Sequence, residues 1–128
     1  MMKSLSPATL SPPFGKYSHG LAAGPLVVTS GQLALGADGK VPDGITAQAE
    51  LCFAAVLAIL AEDGLDASDV MRFSAFVTQR ADMAPYMAVR DRVCADLVVK
   101  PASTLMIVSG FTRPEFLVEV EAIALRRA

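Results

Sequence analysis

The spacing of the apolar residues changes along this chain, and this change constrains the fold more than any other feature of the sequence. Residues 26–30 form a short apolar run rich in valine and threonine, which is typical of a strand. Phe53, Val56, Leu57 and Leu60 then fall at i, i+3, i+4 and i+7, the spacing of one helical face. The chain therefore combines strands and helices.

The same pattern analysis predicts further elements on both sides of that helix. In residues 70–77, Met71, Phe73, Ala75 and Val77 alternate with their neighbours and are predicted to share one face of a strand. The other predicted elements are strands near residues 17–22, 103–108 and 116–125, a short strand near residues 33–35, and a second helix after Asp82. This order predicts an α+β fold with a mixed sheet of six strands and two helices on one face.

Proline content separates the start of the chain from the rest. Pro7, Pro12 and Pro13 lie among serine and threonine residues, so residues 1–13 are predicted to be a flexible N-terminal arm. Residues 14–128 are long enough for one domain with its own core and carry no internal repeat. We therefore predict a single α+β domain over residues 14–128.

Several predicted strands are apolar on both sides, although two helices can cover only one face of a sheet. Leu26 and Val28 oppose Val27 in one strand, and hydrophobic residues make up 53% of the whole chain. The uncovered face needs a partner, and another copy of the same chain is the simplest one. The pattern therefore predicts a homo-oligomer.

Charge and motifs exclude several classes of function. The net charge is −2, which argues against nucleic acid as a partner. No metal-ligand spacing, Walker loop or dinucleotide motif is present, so neither a metal nor a cofactor is expected. The first ten residues do not resemble a signal peptide, and the longest apolar stretch, residues 51–61, is too short to cross a membrane. Cys52 and Cys94 are predicted to be buried, reduced thiols, and we expect a cytoplasmic protein.

The final strand carries two carboxylates in an apolar context. Glu119 and Glu121 share a face, about 6–7 Å apart. A half-buried carboxylate tends to have a raised pKa, which suits proton transfer. The competing interpretation is a solvent-facing or salt-bridged row on one side of the sheet.

Three other residues have both a functional and a structural interpretation. Tyr17, at the end of the arm, either covers a pocket or anchors the arm by packing. His19 and Ser30 lie on adjacent predicted strands and can meet, but no third catalytic residue or nucleophile motif accompanies them. His19 is otherwise a polar residue at the rim of the sheet.

Four segments together resemble the Rid family of reactive intermediate deaminases (RidA/YjgF-like), which is also called endoribonuclease L-PSP. Residues 11–18, SPPFGKYS, are similar to the opening segment of the family, and residues 27–32, VVTSGQ, to its second strand. Ala47-Gln48-Ala49 fits the first helix. Residues 118–124, VEVEAIA, closely resemble the C-terminal signature. The resemblance runs from about residue 11 to residue 127.

The resemblance implies a chorismate-mutase-like fold, a homotrimer with ligand clefts between subunits, and hydrolysis of enamines and imines. It places Tyr17 in the cleft lining and Ser30 and Gly31 in contact with a small-molecule ligand. It makes Glu119 the residue that orients or deprotonates the attacking water, and it leaves Glu121 as a structural residue.

One segment departs from the family pattern. The deaminating members have an arginine that binds the substrate carboxylate where this chain has Ser103, within Pro101-Ala102-Ser103-Thr104. A serine cannot replace a bidentate guanidinium, so carboxylate-bearing imines are expected to bind poorly unless another cation reaches the site. On sequence proximity, Lys100, Arg80 and Arg113 are the candidate cations. Ser103 and Thr104 would instead offer hydroxyl groups to a neutral substrate.

Three functions remain open from the sequence. The first is hydrolysis, by deamination, of an enamine, an imine or a related intermediate without carboxylate anchoring. The second is a non-catalytic trimer that binds or senses a small ligand. The third is ribonuclease activity or inhibition of translation, which the acidic charge balance disfavours.

Overall fold

The fold is one mixed sheet with two helices, and the computed structural model describes residues 1–127 of the chain. The helices are α1 (Ile45–Ala61) and α2 (Met83–Val93). The strands are β1 (Lys3–Leu5), β2 (Gly20–Ala23), β3 (Leu26–Thr29), β4 (Gln32–Leu33), β5 (Val70–Val77), β6 (Ala102–Ile107) and β7 (Val118–Leu125). The α+β class is therefore confirmed, but the sheet has seven strands where the sequence predicted six.

The strand order is β1-β2-β3-β7-β5-β6, with β4 also pairing with β7. All of these pairs are antiparallel except β5 and β6, which run parallel because α2 carries the chain back between them. The sheet is therefore mixed, as predicted. The last strand lies at its centre, next to β3, β4 and β5.

The seventh strand is β1, which falls in the segment predicted to be a flexible arm. Its residues pair with β2 in register, and Leu5 is 1% exposed and joins the hydrophobic core. The prediction of a flexible arm is therefore wrong for residues 3–5, which belong to the sheet. A single apolar residue in Lys3-Ser4-Leu5 gives no strand pattern to detect, and pairing with β2 supplies the order.

The first helix follows the predicted apolar stripe. Phe53, Val56 and Leu60 are fully buried, and α1 packs on β7, β3 and β4. The chain leaves the helix through Gly64, which has a φ of 74° and allows the amide of Leu65 to bond the carbonyl of Leu60. None of the helices in residues 1–127 is both long and apolar enough for a bilayer crossing.

The second helix, predicted after Asp82, runs over Met83–Val93. Tyr86 and Val89 are buried, and Leu97 packs on the core from the loop that follows the helix. Cys94 lies at the C-terminal cap of the helix. Both cysteines, Cys52 and Cys94, are free and buried, as predicted.

The predicted alternation of β5 fails at one residue. Phe73, Ala75 and Val77 are buried on the helix side, but Met71 is 51% exposed. The pairing of β5 with β7 shifts register between Val70 and Arg72, so Met71 sits in a bulge and leaves the face it was predicted to share.

The two faces of the sheet differ in their cover. The face beneath the helices is closed by fully buried residues such as Val27 and Val120. The opposite face has no cover within residues 1–127. It exposes a cluster of apolar side chains, called the open face below: Leu26, Val28, Met106, Ile123 and Leu125.

A buried glutamine ties α1 to the start of β7. The amide nitrogen of Gln48 donates to the carbonyls of Pro42 (3.0 Å) and Glu115 (2.8 Å), and its oxygen accepts from the amide of Leu117 (2.9 Å). The bonds to Glu115 and Leu117 join residues 67 and 69 positions apart, and they fix the segment that leads into β7.

Gln48→Leu is therefore expected to lower the free energy of unfolding by about 2–4 kcal/mol, because three backbone groups lose the hydrogen bonds that the buried Gln48 side chain makes with them. Denaturant unfolding measures this change. Gln79→Leu is the matched control, because Gln79 is exposed and its side chain makes no capping bond. Equal destabilisation by both variants would show that the Gln48 contacts contribute nothing.

Candidate functional site

Glu119 lies near the start of β7 and points to the open face of the sheet. Residues paired across neighbouring strands share a face, and Glu119 pairs with Leu33 of β4 and Phe76 of β5. Phe76 in turn pairs with Met106 of β6. The carboxylate therefore stands in a row of apolar side chains.

Burial raises the pKa of Glu119 above its usual value, and the nearby Glu121 carboxylate adds to the rise. Glu121 lies in a different row, where it pairs with Ser74 of β5, and Ser74 pairs with Thr104 of β6. The two glutamates therefore share a face but not an environment. Glu119 has apolar neighbours and Glu121 has hydroxyl neighbours.

Gly31 lies directly against the Glu119 side chain. A β-carbon at position 31 would come within 2.6 Å of the Glu119 carboxyl carbon and 2.8 Å of one of its oxygens. Only a residue without a side chain leaves this space to the carboxylate. Gly31 thus leaves the Glu119 carboxyl group room to pack directly against the backbone at position 31.

Tyr17 shares a small cavity with Gly31. The cavity, about 40 Å³, lies beneath the arm residues Phe14 and Tyr17 and beside Leu33 of β4. The Tyr17 side chain is 47% exposed, and its hydroxyl accepts a bond from the amide of Phe14 at 3.3 Å. Tyr17, Gly31 and Glu119 are therefore brought into one region, although they are far apart in sequence.

The Ser30 hydroxyl makes a structural hydrogen bond within the chain. Its hydroxyl donates to the carbonyl of Ser18 at 2.6 Å, and its amide bonds the carbonyl of His19. The contact between Ser30 and His19 is thus a backbone contact and not a catalytic side-chain pair.

His19 is buried, 8% exposed, where the sequence interpretation put it at the rim. The Nε2 atom of His19 lies 2.7 Å from the carbonyl oxygen of Ser11, and its Nδ1 atom lies 3.4 Å from the side-chain nitrogen of Gln32. These contacts fasten the arm over the small cavity, so His19 has a structural role here.

Ser103 does not join this region within one chain. It pairs with Phe73, whose side chain is buried on the helix side, so Ser103 faces away from Glu119. Thr104, the other predicted ligand contact on β6, lies on the open face in the row of Glu121. Ser103 and Glu119 are also two strands apart, about 10 Å.

Ser103 instead borders a second cavity that the sequence interpretation did not foresee. This cavity, about 380 Å³, lies between the end of α2 and the start of β6 and is lined by Arg90, Asp91, Cys94, Lys100, Pro101 and Ser103. Lys100 was a candidate cation from the sequence, and Arg90 was missed. Arg113, another candidate cation from the sequence, forms a salt bridge with Glu115 at 2.8 Å and lies over the ring of Phe116.

Comparison with known proteins decides the family. Residues 8–126 match the sequence profile of the endoribonuclease L-PSP family, which is nearly the whole chain. The chain belongs to the endoribonuclease L-PSP family. This confirms the resemblance to the RidA/YjgF-like proteins that the four sequence segments carried.

Several relatives of this chain carry deaminase names. The chain is 29% identical to a 2-iminobutanoate/2-iminopropanoate deaminase of Escherichia coli K12, across 99% of this chain and 100% of the relative. It is 34% identical to a RutC family protein of Haemophilus influenzae, across 88% of each chain. A Rid-type deaminase role is therefore supported at the level of the family.

The solved structures agree with this assignment. The crystal structure of E. coli TdcF with bound serine superposes with a TM-score of 0.91 at 27% identity, covering 98% of this chain and 99% of TdcF. The two helices and the mixed sheet are thus the architecture of the family. Among residues 1–127, no three side chains of the His, Cys, Asp or Glu type cluster as a metal site requires.

Proposed function

We propose that this protein hydrolyses small imines, and the enamines that tautomerise to them, to a carbonyl compound and ammonia. The observation that carries the proposal is Glu119, a carboxylate with a raised pKa, held in an apolar row against Gly31. The deaminase names of the relatives agree with this chemistry. Tyr17 borders the same region through Gly31.

The proposed reaction uses Glu119 first as a base and then as an acid. Its carboxylate accepts a proton from water while the water oxygen bonds to the imine carbon and the electron pair of the C=N bond moves to nitrogen. The proton then passes from Glu119 to that nitrogen. In the collapse of the carbinolamine, Glu119 takes the proton of the hydroxyl group as the C=O bond forms and passes it to the departing nitrogen, so that ammonia leaves as the C–N bond breaks. Water and imine are consumed, and carbonyl compound and ammonia are produced.

We also propose that the working unit is a homotrimer in which copies of the chain cover each other's open face. The exposed fractions of Leu26 (47%), Met106 (53%) and Ile123 (40%) support this, because several exposed apolar side chains on one face of a sheet are typical of an interface. Such an assembly would place Glu119 in a cleft that excludes most solvent.

Val28→Asp is expected to convert the assembly to monomers and to lower imine hydrolysis with it, because a charge replaces an apolar side chain at the centre of the open face. Size-exclusion chromatography with light scattering and a rate assay measure both effects. Ala47→Asp is the matched control, since Ala47 is exposed on α1, on the other side of the sheet. A monomeric wild-type protein would contradict the proposed assembly.

The direct test is an imine hydrolysis assay. The imine is generated in situ from alanine by an amino acid oxidase, and a neutral imine of similar size is tested beside it. Ammonia release faster than in the protein-free reaction supports the proposal. Rates equal to the protein-free reaction for both imines, with protein that is folded and assembled, would overturn it.

A further inference from the structure

His19 is buried, and both nitrogens of its imidazole ring contact polar groups of other segments. The Nε2 atom lies 2.7 Å from the carbonyl oxygen of Ser11, and a carbonyl oxygen can only accept, so Nε2 carries a proton and donates. The Nδ1 atom is then the acceptor for the side-chain amide of Gln32, whose nitrogen lies 3.4 Å away. One form of the ring therefore satisfies both contacts, and it connects Ser11 to β4.

The Gln32 side chain continues this connection toward Glu119. Its nitrogen also donates to the carbonyl of Ser30 at 3.2 Å, so Gln32 holds the backbone on the far side of Gly31. Gly31 in turn packs against the Glu119 carboxyl group, and β4 pairs with β7. A short series of contacts thus runs from the imidazole to the residue beside the reacting carboxylate.

Residues 7–17, called the arm loop below, have few polar contacts with the sheet. Their other hydrogen bonds, such as those of the Phe14 and Tyr17 amides, have both partners inside the loop. Among residues 1–127, the bond donated by His19 is the one hydrogen bond that joins the arm loop to the rest of the chain. The closed position of the loop therefore depends on this imidazole more than on any other polar group.

The position of Tyr17 depends in turn on the arm loop. Its side chain is 47% exposed, and the hydrogen bond that its hydroxyl accepts comes from the amide of Phe14, in the same loop. Tyr17 borders the small cavity together with Gly31. A loop that moved off the sheet would therefore carry the phenol away from the surroundings of Glu119.

We propose that His19 is a positioning residue, whose bond to the Ser11 carbonyl closes the arm loop over the small cavity and fixes Tyr17 there. This inference rests on the proposed imine hydrolysis. One hydrogen bond of this kind changes the equilibrium between closed and open loop by about 3- to 10-fold. A loop without another polar tie is expected to be largely open once the bond is lost. Substrate that binds only the closed loop then binds more weakly, so the loss should appear in KM and not in kcat.

The test compares His19→Asn with His19→Gln. Both variants replace the ring by an amide, but only the longer glutamine side chain extends as far as Nε2 and can donate to Ser11, so it is the rescue variant. Hydrogen exchange over residues 7–17, measured by mass spectrometry at short labelling times, should be about 3- to 10-fold faster in His19→Asn than in wild type and restored in His19→Gln. Peptides from α1 should exchange alike in all three proteins. Equal exchange of the arm loop in wild type and His19→Asn, or an equal increase in α1, would overturn the role of His19.

Kinetics with the alanine-derived imine measure the consequence for the reaction. His19→Asn is expected to raise KM by about 3- to 10-fold and to leave kcat within about twofold of wild type, whereas His19→Gln should restore KM. A wild-type KM in His19→Asn, although its arm loop exchanges faster, would overturn the positioning role. Faster exchange of the arm loop in His19→Asn, with no hydrolysis of either imine by the wild type, would uphold the closure of the loop by His19 and reject the proposed reaction.

Discussion

Replacement of Glu119 by glutamine is expected to lower kcat for imine hydrolysis by about 10²- to 10⁴-fold, because the variant has no group to take the proton from water. KM should change much less, since the amide keeps the size of the side chain and its contact with Gly31. Single-turnover and steady-state rates measure the effect.

The matched control is Glu121→Gln. Glu121 shares the strand and the face of Glu119 but lies in the row of Ser74 and Thr104. We expect it to retain most of the activity. Equal losses in the two variants would show that the charge of the strand matters and that Glu119 has no special role. An unchanged rate in Glu119→Gln would remove it from the mechanism.

The pH dependence follows from the raised pKa of Glu119. The base is active only when ionised, so the rate should fall on the acid side of a pKa that lies above the usual glutamate value. The stability effect has the opposite direction. Between the unfolded and folded pKa values the folded state binds more protons, so Glu119 makes stability fall as pH rises through that interval. Glu119→Gln should therefore melt at a higher temperature than wild type at neutral pH.

Gly31→Ala is expected to lower kcat by about 10²-fold, because the added methyl group would occupy the space of the Glu119 carboxyl and push it from its position. The stability of the protein should change by less than about 1 kcal/mol, since the atoms nearest to the added methyl group belong to the flexible side chain of Glu119. Rate measurements beside thermal unfolding separate the two effects.

Two further variants sharpen this test. Gly15→Ala adds a methyl group in the arm at ordinary contact distance from Tyr17, 3.7 Å, and should leave the rate close to wild type. The double variant Gly31→Ala/Glu119→Gln should be no slower than Glu119→Gln alone, because both changes disable the same group. Additive losses would mean that Gly31 acts on the reaction by another route.

Local patterns were enough to predict most of the secondary structure. The stripe of Phe53, Val56 and Leu60 needs only the helical period, and the alternation in β7 needs only the strand period, so both were visible in sequence. β1 and the bulge at Met71 were not visible, because each depends on pairing with a distant strand and not on its own residues.

The residues of the candidate site could likewise be predicted only in part from local patterns. The residue pattern left Tyr17 and Glu119 with both a functional and a structural interpretation, and only the family resemblance favoured the functional one and added Gly31. The proximity of the three residues depends on the β3–β4–β7 pairing. Arg90 was missed because its contact with Ser103 depends on the rotation of α2 over the parallel pair β5–β6. No spacing rule predicts which face of a helix meets a strand edge after a loop.

β6 lies at the end of the sheet, and β5 separates it from β7, the strand that carries Glu119. Glu119 and Gly31 lie on the antiparallel part of the sheet, whereas Arg90 and Ser103 lie on the crossover through α2 and its return strand. The cavity between α2 and β6 and the surroundings of Glu119 are thus encoded in separate stretches of the gene. Substitutions in residues 90–103 can therefore reshape that cavity while the Glu119 carboxylate and its neighbour Gly31 stay unchanged.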